Sequence, residues 1–377
     1  FLVLSLLLSH PINASKMSDL KPGFQTAKGC NALVTGSTGL CGSRLVEMLL
    51  ERGAKTVICF DITPPDSVLE QRFKDAEAKY GGKIISKVGR TDGDLTSDEA
   101  VEKAFQAVEQ VDVVYHIAAL VGPFHDKDVY HAVNYGGTMR IIENCKKFKV
   151  LKLVYSSSPS TRFTGADVEG LREDEMDYPK KYLALYAETK AYGEQEVTEA
   201  LDPPTFLTIS VAPHQVYGPH DGLFLPNLLE VAGNGRLRIF GSGRSKISVC
   251  YVDNYCHGLM CGADALYEKS PALGKFYIVT DGPPVSFWGF INQAIVAMGF
   301  TDLYTKFHLP VWLLYGVAYA CNVIGFLIGK KFKLNPFNVC MLTIHRWFSI
   351  ENAIRDLKYE PLFKTEESWP TTIEWFK

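Results

Sequence analysis

The sequence predicts an α/β fold: a doubly wound parallel sheet, a smaller and partly interleaved C-terminal lobe, and one apolar segment that associates with membrane. Three observations predict it. From residue 29 to about 211, short apolar runs alternate with helical stretches, the pattern of parallel strands joined by crossover helices. A glycine-rich junction links the first run to the first helix. After residue 212 the rhythm loosens, and turn-rich pieces (GPHDG, GNGR, FGSGR, DGPP) separate shorter elements.

Taken in order, CNALVT (30–35) reads as the first strand and GLCGSRLVEMLLERG as the helix after it. TVICF (56–60) is the second strand and KIISKV (83–88) the third. SDEAVEKAFQAVEQ (97–110) is an amphipathic helix that leads to a strand at DVVYHIAAL (112–120). NYGGTMRIIENCKKF (134–148) is a helix and LKLVYSSS (151–158) a strand. AETKAYGEQEVTEAL is a further helix, followed by a strand at TFLTISV (205–211). This alternation implies right-handed crossovers and a Rossmann-like sheet. Residues 29–211 are expected to bind a dinucleotide, and residues 212–377 to form the substrate lobe. Residues 1–28 are expected to be a leader or targeting remnant, or else a start-site artefact. Within it FLVLSLLLSHPINAS resembles part of a signal-peptide h-region with a formal sequon at Asn13-Ala14-Ser15, and Met17 opens a polar stretch.

Composition narrows the function. Of 377 residues 47% are hydrophobic and 21% charged, with a net charge of −3, so the chain lacks the basic footprint of a nucleic-acid binder. Nine scattered cysteines form no paired CxxC or HxxxH pattern, so no metal is expected and the thiols read as free, in a reducing compartment.

Thr35-Gly36-Ser37-Thr38-Gly39-Leu40-Cys41-Gly42 lies at the first strand–helix junction. Gly36 permits a tight turn, Gly39 lets backbone N–H groups approach a pyrophosphate, and Gly42 lets helix and strand pack closely, with the positive end of the helix dipole behind them. Asp61 ends the second strand, 19 residues after Gly42, where an acid bonds the adenosine ribose hydroxyls. Its charge would repel the extra phosphate of NADP and Ile62-Thr63 offers no cation, so NAD is preferred. Asp94, in GDLT, could equally cap the helix at 97.

Tyr186 and Lys190 stand one helical turn apart in YAETK. With 18 tyrosines in the chain, about one such spacing arises by chance, so the weight lies in the order: glycine motif, Ser156-Ser157-Ser158 at a strand end, then Tyr-x-x-x-Lys. Oxidising an alcohol needs a base for its hydroxyl proton while hydride leaves. A free Tyr, with a pKa near 10, is too weakly ionised for that work. A neighbouring Lys190 ammonium would draw Tyr186 toward neutral pH, and Ser158 would hold the substrate oxygen.

TGSTGLCG, the Asp61 strand end, GDLT, HIAA (116–119), Asn134, YSSS, YAETK, APHQVYGP (212–219) and YVDN (251–254) recur in the order of the extended short-chain dehydrogenase/reductases, over roughly residues 29–290. The resemblance implies that Tyr186 is the acid/base, Lys190 its pKa-lowering and ribose-binding partner and Ser158 the third member. It also implies that Gly39, Leu40 and Cys41 line the pyrophosphate turn, Asp61 meets the ribose, Asp94 and Leu95 lie by the adenine, Ala118 and Ala119 run along the dinucleotide and Pro213 lies near the carboxamide. Later stretches (APHQVYGPHD, LLEVAGNGRLRIFGSGR, GPPVSFWGF) resemble the 3β-hydroxysteroid dehydrogenase branch, most of all its sterol-4α-carboxylate 3-dehydrogenases. Two departures stand out: Ala212 where the branch commonly has Arg, and Pro159 directly after Ser158.

That resemblance implies NAD-dependent oxidation of a 3β-hydroxyl on a sterol or steroid, with loss of carbon dioxide from the β-keto acid that a 4-carboxylate would yield. A nucleotide-sugar epimerase and a non-catalytic dinucleotide-binding subunit are the alternatives, and a homodimer is an open assembly. The 21 residues LPVWLLYGVAYACNVIGFLIG (309–329) carry no charge and reach the length of about 20 residues that crosses a bilayer. Lys330, Lys331 and Lys333 follow. Because residues 349–362 resemble a closing segment that packs on the globular body, the expected attachment is monotopic, on the cytosolic face of the endoplasmic reticulum or a lipid droplet, rather than a span.

Overall fold

In this computed structural model, residues 26–122, 125–329, 332 and 334–377 are described. The expected leader up to residue 25, its sequon and the lysines at 330, 331 and 333 lie outside the described residues.

Seven parallel strands form the main sheet: β1 (Asn31–Thr35), β2 (Thr56–Asp61), β3 (Lys83–Val88), β4 (Val113–His116), β5 (Lys152–Ser156), β6 (Leu207–Pro213) and β7 (Phe276–Val279). Their order is β7-β6-β5-β4-β1-β2-β3. The order reverses between β1 and β4, which opens a crevice at the strand C-termini where such sheets bind ligands. The inner strands are buried on both faces, as their runs of Val, Ile and Leu require.

Three helices position the crevice: α1 (Leu40–Glu51), α2 (Leu185–Glu199) and α3 (Val252–Asp264). The predicted strand 112–120 stops at His116. There the Thr35 hydroxyl oxygen accepts the N–H groups of Ile117 and Ala118 at 3.1 Å each, taking the place of a ladder partner and turning the chain out of the sheet. The predicted helix 134–148 begins instead with a π-turn, His131–Gly136. The helix predicted over 97–110 ends early, spanning Asp98–Phe105.

The C-terminal part does not form a separate block. β7, α3 and the helix Glu351–Leu357 pack into the main body, with Tyr255, Leu259, Ala353 and Tyr359 in the core that holds Val34 and Leu49. Arg44 on α1 clamps Asp253 on α3 through Nε and Nη2 at 2.8 and 3.0 Å. A four-stranded sheet, in the order Val285–Ser286, Lys246–Ile247, Arg346–Phe348, Val168–Leu171, supports the smaller lobe.

The apolar segment forms α4 (Val311–Ile328), followed by α5 (Pro336–Thr343). Leu309 tethers its start, donating to Ile239 O and accepting from Gly241 N, each at 2.9 Å. Only Leu314, Ala318 and Gly325 of α4 are buried, the first two packed with Val339 of α5. Trp312, Tyr319, Val323 and Phe326 line the other face, 60–88% exposed.

Candidate active site

The glycine junction is built by close approach. Gly36 has φ +71°, and a Cβ there would stand 2.9 Å from Ala118 N; on Gly42 it would fall 1.9 Å from Gly36 O. Gly39 starts α1 with no side-chain cap, and the first turn holds no acidic residue. The N–H groups around Leu40 and Cys41 therefore stand at the positive end of α1 with no side chain competing for them, the arrangement a pyrophosphate needs.

Asp61 is held at the tip of β2. Its carboxylate accepts from Thr38 N at 3.1 Å and Thr63 N at 2.9 Å, which places it beside the glycine turn. A Cβ on Gly93 would lie 1.9 Å from Asp61 O, so Gly93, which the sequence reading passed over, brings Asp94 against this corner. Asp94 does not cap the following helix. Its Oδ1 accepts from Thr96 N and Oγ1 at 2.8 and 2.7 Å, and the cap is Ser97, since an Asx turn closes on the residue two ahead. The Leu95 side chain is buried against Gly137, which leaves its backbone as the part that could meet a ligand.

A buried chain of hydrogen bonds runs behind Ala118 and Ala119. Thr35 Oγ1 lies 2.7 Å from His116 Nδ1, His116 Nε2 lies 3.0 Å from Thr138 Oγ1, and Thr138 donates to Asn134 O at 2.7 Å. Thr138 spends its proton on a carbonyl, so His116 Nε2 is the donor and its Nδ1 accepts from Thr35. Burial, with Lys190 adding to it, pushes His116 down to about 3. Asn134 ties the loop to α2 by bonding both backbone groups of Leu120 and Thr189 Oγ1.

Ser158 follows β5, and Tyr186 and Lys190 lie on α2. The Ser158 hydroxyl lies 2.9 Å from Ser160 Oγ, and burial pushes the Tyr186 phenol up to about 12, with the nearby Ser158 hydroxyl opposing it. The expected pull of Lys190 on Tyr186 is not made here. Lys190, 2% exposed, donates to Ser156 O and lies 3.9 Å from the centroid of the Tyr155 ring. Burial lowers it to about 7, with Glu194 opposing. Helical spacing puts both groups on one face, but it does not say which neighbour a long side chain will choose.

Sequence reasoning also missed two buried groups. Glu194, 1% exposed, accepts from Ser157 Oγ at 2.5 Å and Tyr178 OH at 2.7 Å and pairs with Arg162. His214 follows Pro213 at the end of β6 and meets Ser248 O at 2.6 Å and Arg346 Nη1 at 3.3 Å. Ala212 is fully buried within β6.

Comparison with known proteins places the chain. The model of the 3-beta hydroxysteroid dehydrogenase/isomerase family matches residues 33–310. The human sterol-4-alpha-carboxylate 3-dehydrogenase (decarboxylating) is 30% identical over 93% of this chain and 89% of its own. The Schizosaccharomyces pombe enzyme of that name is 29% identical over 92% and 97%. A 2-alkyl-3-oxoalkanoate reductase of Stenotrophomonas maltophilia is 32% identical over 89% and 96%. Among solved structures, a UDP-glucuronic acid 4-epimerase of Bacillus cereus with NAD shares the fold, with a TM-score of 0.67 at 22% identity over 92% of this chain and 96% of that one. An epimerase of Methanothermobacter thermautotrophicus does so with a TM-score of 0.68 at 21% over 94% of each. With a family model matched across most of the chain and relatives aligned over nine-tenths of it, this protein belongs to the 3-beta hydroxysteroid dehydrogenase/isomerase family.

Proposed function

We propose that the protein oxidises the 3β-hydroxyl of a 4α-carboxysterol, using NAD, and that the product loses carbon dioxide. The observation that carries this reading is Ser158 set beside the Tyr186 phenol at the strand C-termini of a family-typical body, on a chain whose relatives act on sterol 4-carboxylates.

The residues fit the dinucleotide: the Gly36–Gly42 turn leaves room only for backbone, Asp61 stands beside it for the ribose, and Ile62 and Thr63, which follow Asp61, offer no cation for an added phosphate. Bound NAD supplies the hydride acceptor. Ser158 holds the substrate oxygen, and Tyr186 takes its proton as the C3–H bond gives up hydride, so C3 becomes a ketone. Lys190, poised near 7, holds the nicotinamide ribose. The ketone stands β to the carboxylate, so the C4–carboxylate bond breaks to release carbon dioxide and the enolate left behind takes a proton at C4.

The S. maltophilia relative supports the same chemistry from another side, since the substrate in its name is also a β-keto acid. Purified protein given NAD and a 3β-hydroxy-4α-carboxysterol should produce NADH and carbon dioxide in equal amounts. Turnover only of a UDP-sugar would sink the reading. Tyr186→Phe should cut turnover by about 10²–10⁴-fold, the usual size of acid–base catalysis, while NADH binding is kept.

The exposed apolar face of α4 supports attachment to the cytosolic face of the endoplasmic reticulum or a lipid droplet. Leu309 and Arg346, on either side of α4 and α5, are both held by the same globular body. A single crossing would put those two ends on opposite sides, so the attachment is monotopic.

A further inference from the structure

Arg346 opens the central strand Arg346–Phe348 of the smaller sheet and is 8% exposed. No carboxylate among the described residues pairs with it. By contrast, Arg44 faces Asp253, Glu47 and Glu51, and Arg162 faces Glu194. Nη1 of Arg346 donates to the His214 ring at 3.3 Å, while its buried Nε donates to nothing. His214 gives no charge in return. Its Nδ1–H is spent on the Ser248 carbonyl, so Nε2 carries a lone pair and the ring is neutral. Burial, then Arg346, pushes it down to about 3. A guanidinium buried without an anion is costly and calls for one.

The position says which anion. His214 directly follows Pro213 at the crevice end of β6, and its ring lies 6.3 Å from Phe163, just beyond the Ser158–Arg162 turn, and 5.2 Å from Phe348. On the other side α5 comes close, with Cys340 Sγ bonded to Gly165 O at 3.4 Å and Tyr315 of α4 beside the same thiol. Arg346 thus stands where the turn that begins with Ser158 meets the apolar α4–α5 hairpin. A ligand that reaches it from that hairpin is lipophilic; one that satisfies it is anionic.

We propose that Arg346 is the receptor for the substrate's carboxylate, using the Nε edge of its guanidinium, which suits a carboxylate's two oxygens. The residue thereby selects alcohols that carry a carboxylate on the adjacent carbon. This rests on the reading that the substrate is a 3-hydroxy-4-carboxysterol. His214 acts through Arg346, as a positioning residue that fixes the other edge.

The test uses the whole protein in detergent with NAD, a 3β-hydroxy-4α-carboxysterol, its methyl ester and the 4α-methyl sterol. Wild type should prefer the acid, and Arg346→Met should lower kcat/KM for the acid by about 10–100-fold, mainly through KM, as for a lost hydrogen bond to a charged group. The two uncharged sterols should change by less than about threefold, and Arg346→Lys should restore part of the preference. Equal losses on acid and ester would make Arg346 a structural residue and overturn the assignment, as would an unchanged ratio. If Arg346→Met fails to fold, as read by its melting curve, the wild-type comparison decides, because an ester used as well as the acid also overturns it. Wild type that ignores all three sterols but oxidises a 2-alkyl-3-hydroxyalkanoate would sink the sterol reading instead. The acid–ester ratio on that substrate would then judge Arg346.

Discussion

Glu194 lies 2.6 Å from the Arg162 guanidinium, one helical turn beyond Lys190 on α2, with both side chains buried. Arg162 is stacked between Tyr178 and Phe276, 4.2 and 3.9 Å from their ring centroids. The pair therefore locks the turn after Ser158 to the helix that carries Tyr186, and the Glu194 carboxylate raises Lys190 against the effect of burial. Glu194→Ala strands the guanidinium and should cost about 3–5 kcal/mol of stability, read by urea titration. Glu194→Gln keeps the shape but removes the charge that holds Lys190 up. A pH–rate midpoint set by Lys190 should then move lower, and an unmoved midpoint would uncouple Glu194 from Lys190.

The glycine turn separates two demands. A Cβ on Gly39 would lie 3.5 Å from Gly36 O, an ordinary contact, at φ −73°, whereas on Gly42 it would lie 1.9 Å from that oxygen. Gly39→Ala should melt within a few degrees of wild type yet bind NADH more weakly, because only the approach of phosphate is obstructed. Gly42→Ala must push α1 off the turn and should lose both stability and binding. Calorimetric titration with NADH alongside a thermal melt distinguishes them, and equal melting points would refute the packing role of Gly42.

Much of this was legible in the sequence, for reasons that differ by residue. β1, β2 and β5 are short apolar runs whose period no helix could use, and the places of Gly36, Gly39, Gly42 and Asp61 at strand–turn junctions follow from local spacing. Tyr186 and Ser158 could be placed because each follows a recognisable strand or opens a helix. What could not be read were partners chosen across the fold. Lys190 turns to Ser156, 34 residues away, and Arg346 reaches His214 across 132. His116 and Glu194 sit inside motifs that looked like ordinary strand and helix, and only packing reveals that they are buried and bonded. The early end of β4 was hidden for the same reason: its apolar run continues, but Thr35 intercepts the backbone.

Three histidines make stability depend on acid. Burial is the first cause in each of His116, His214 and His257, and all three are pushed down to about 3 from an ordinary value of 6.5. Between those values the unfolded chain takes up protons that the folded one refuses, so stability falls as pH falls below about 6.5. Per histidine the loss reaches about 2 kcal/mol by pH 5. His214→Asn removes one of the three, and its stability should fall less steeply between pH 6.5 and 5, by roughly one proton. Parallel urea-titration slopes for variant and wild type would show that His214 is not held neutral.

The last prediction concerns α4. Trp312, Tyr319, Val323 and Phe326 are spaced at i, i+7, i+11 and i+14, so they share one helical face, and Leu327 adjoins it, 75% exposed. The 18-residue helix is about 27 Å long, and on the proposed monotopic attachment it lies in one leaflet instead of crossing. Burying Trp312, Phe326 and Leu327 in lipid is worth about 1.5–3 kcal/mol each. Replacing all three with Lys should therefore release the protein from phosphatidylcholine vesicles by at least about 10²-fold in a flotation assay. Turnover of a soluble short-chain alcohol substrate should persist. In intact microsomes protease should reach a tag at Lys377 as readily as the dinucleotide-binding body, whereas a protected tag beside an exposed body would mean that α4 crosses the bilayer.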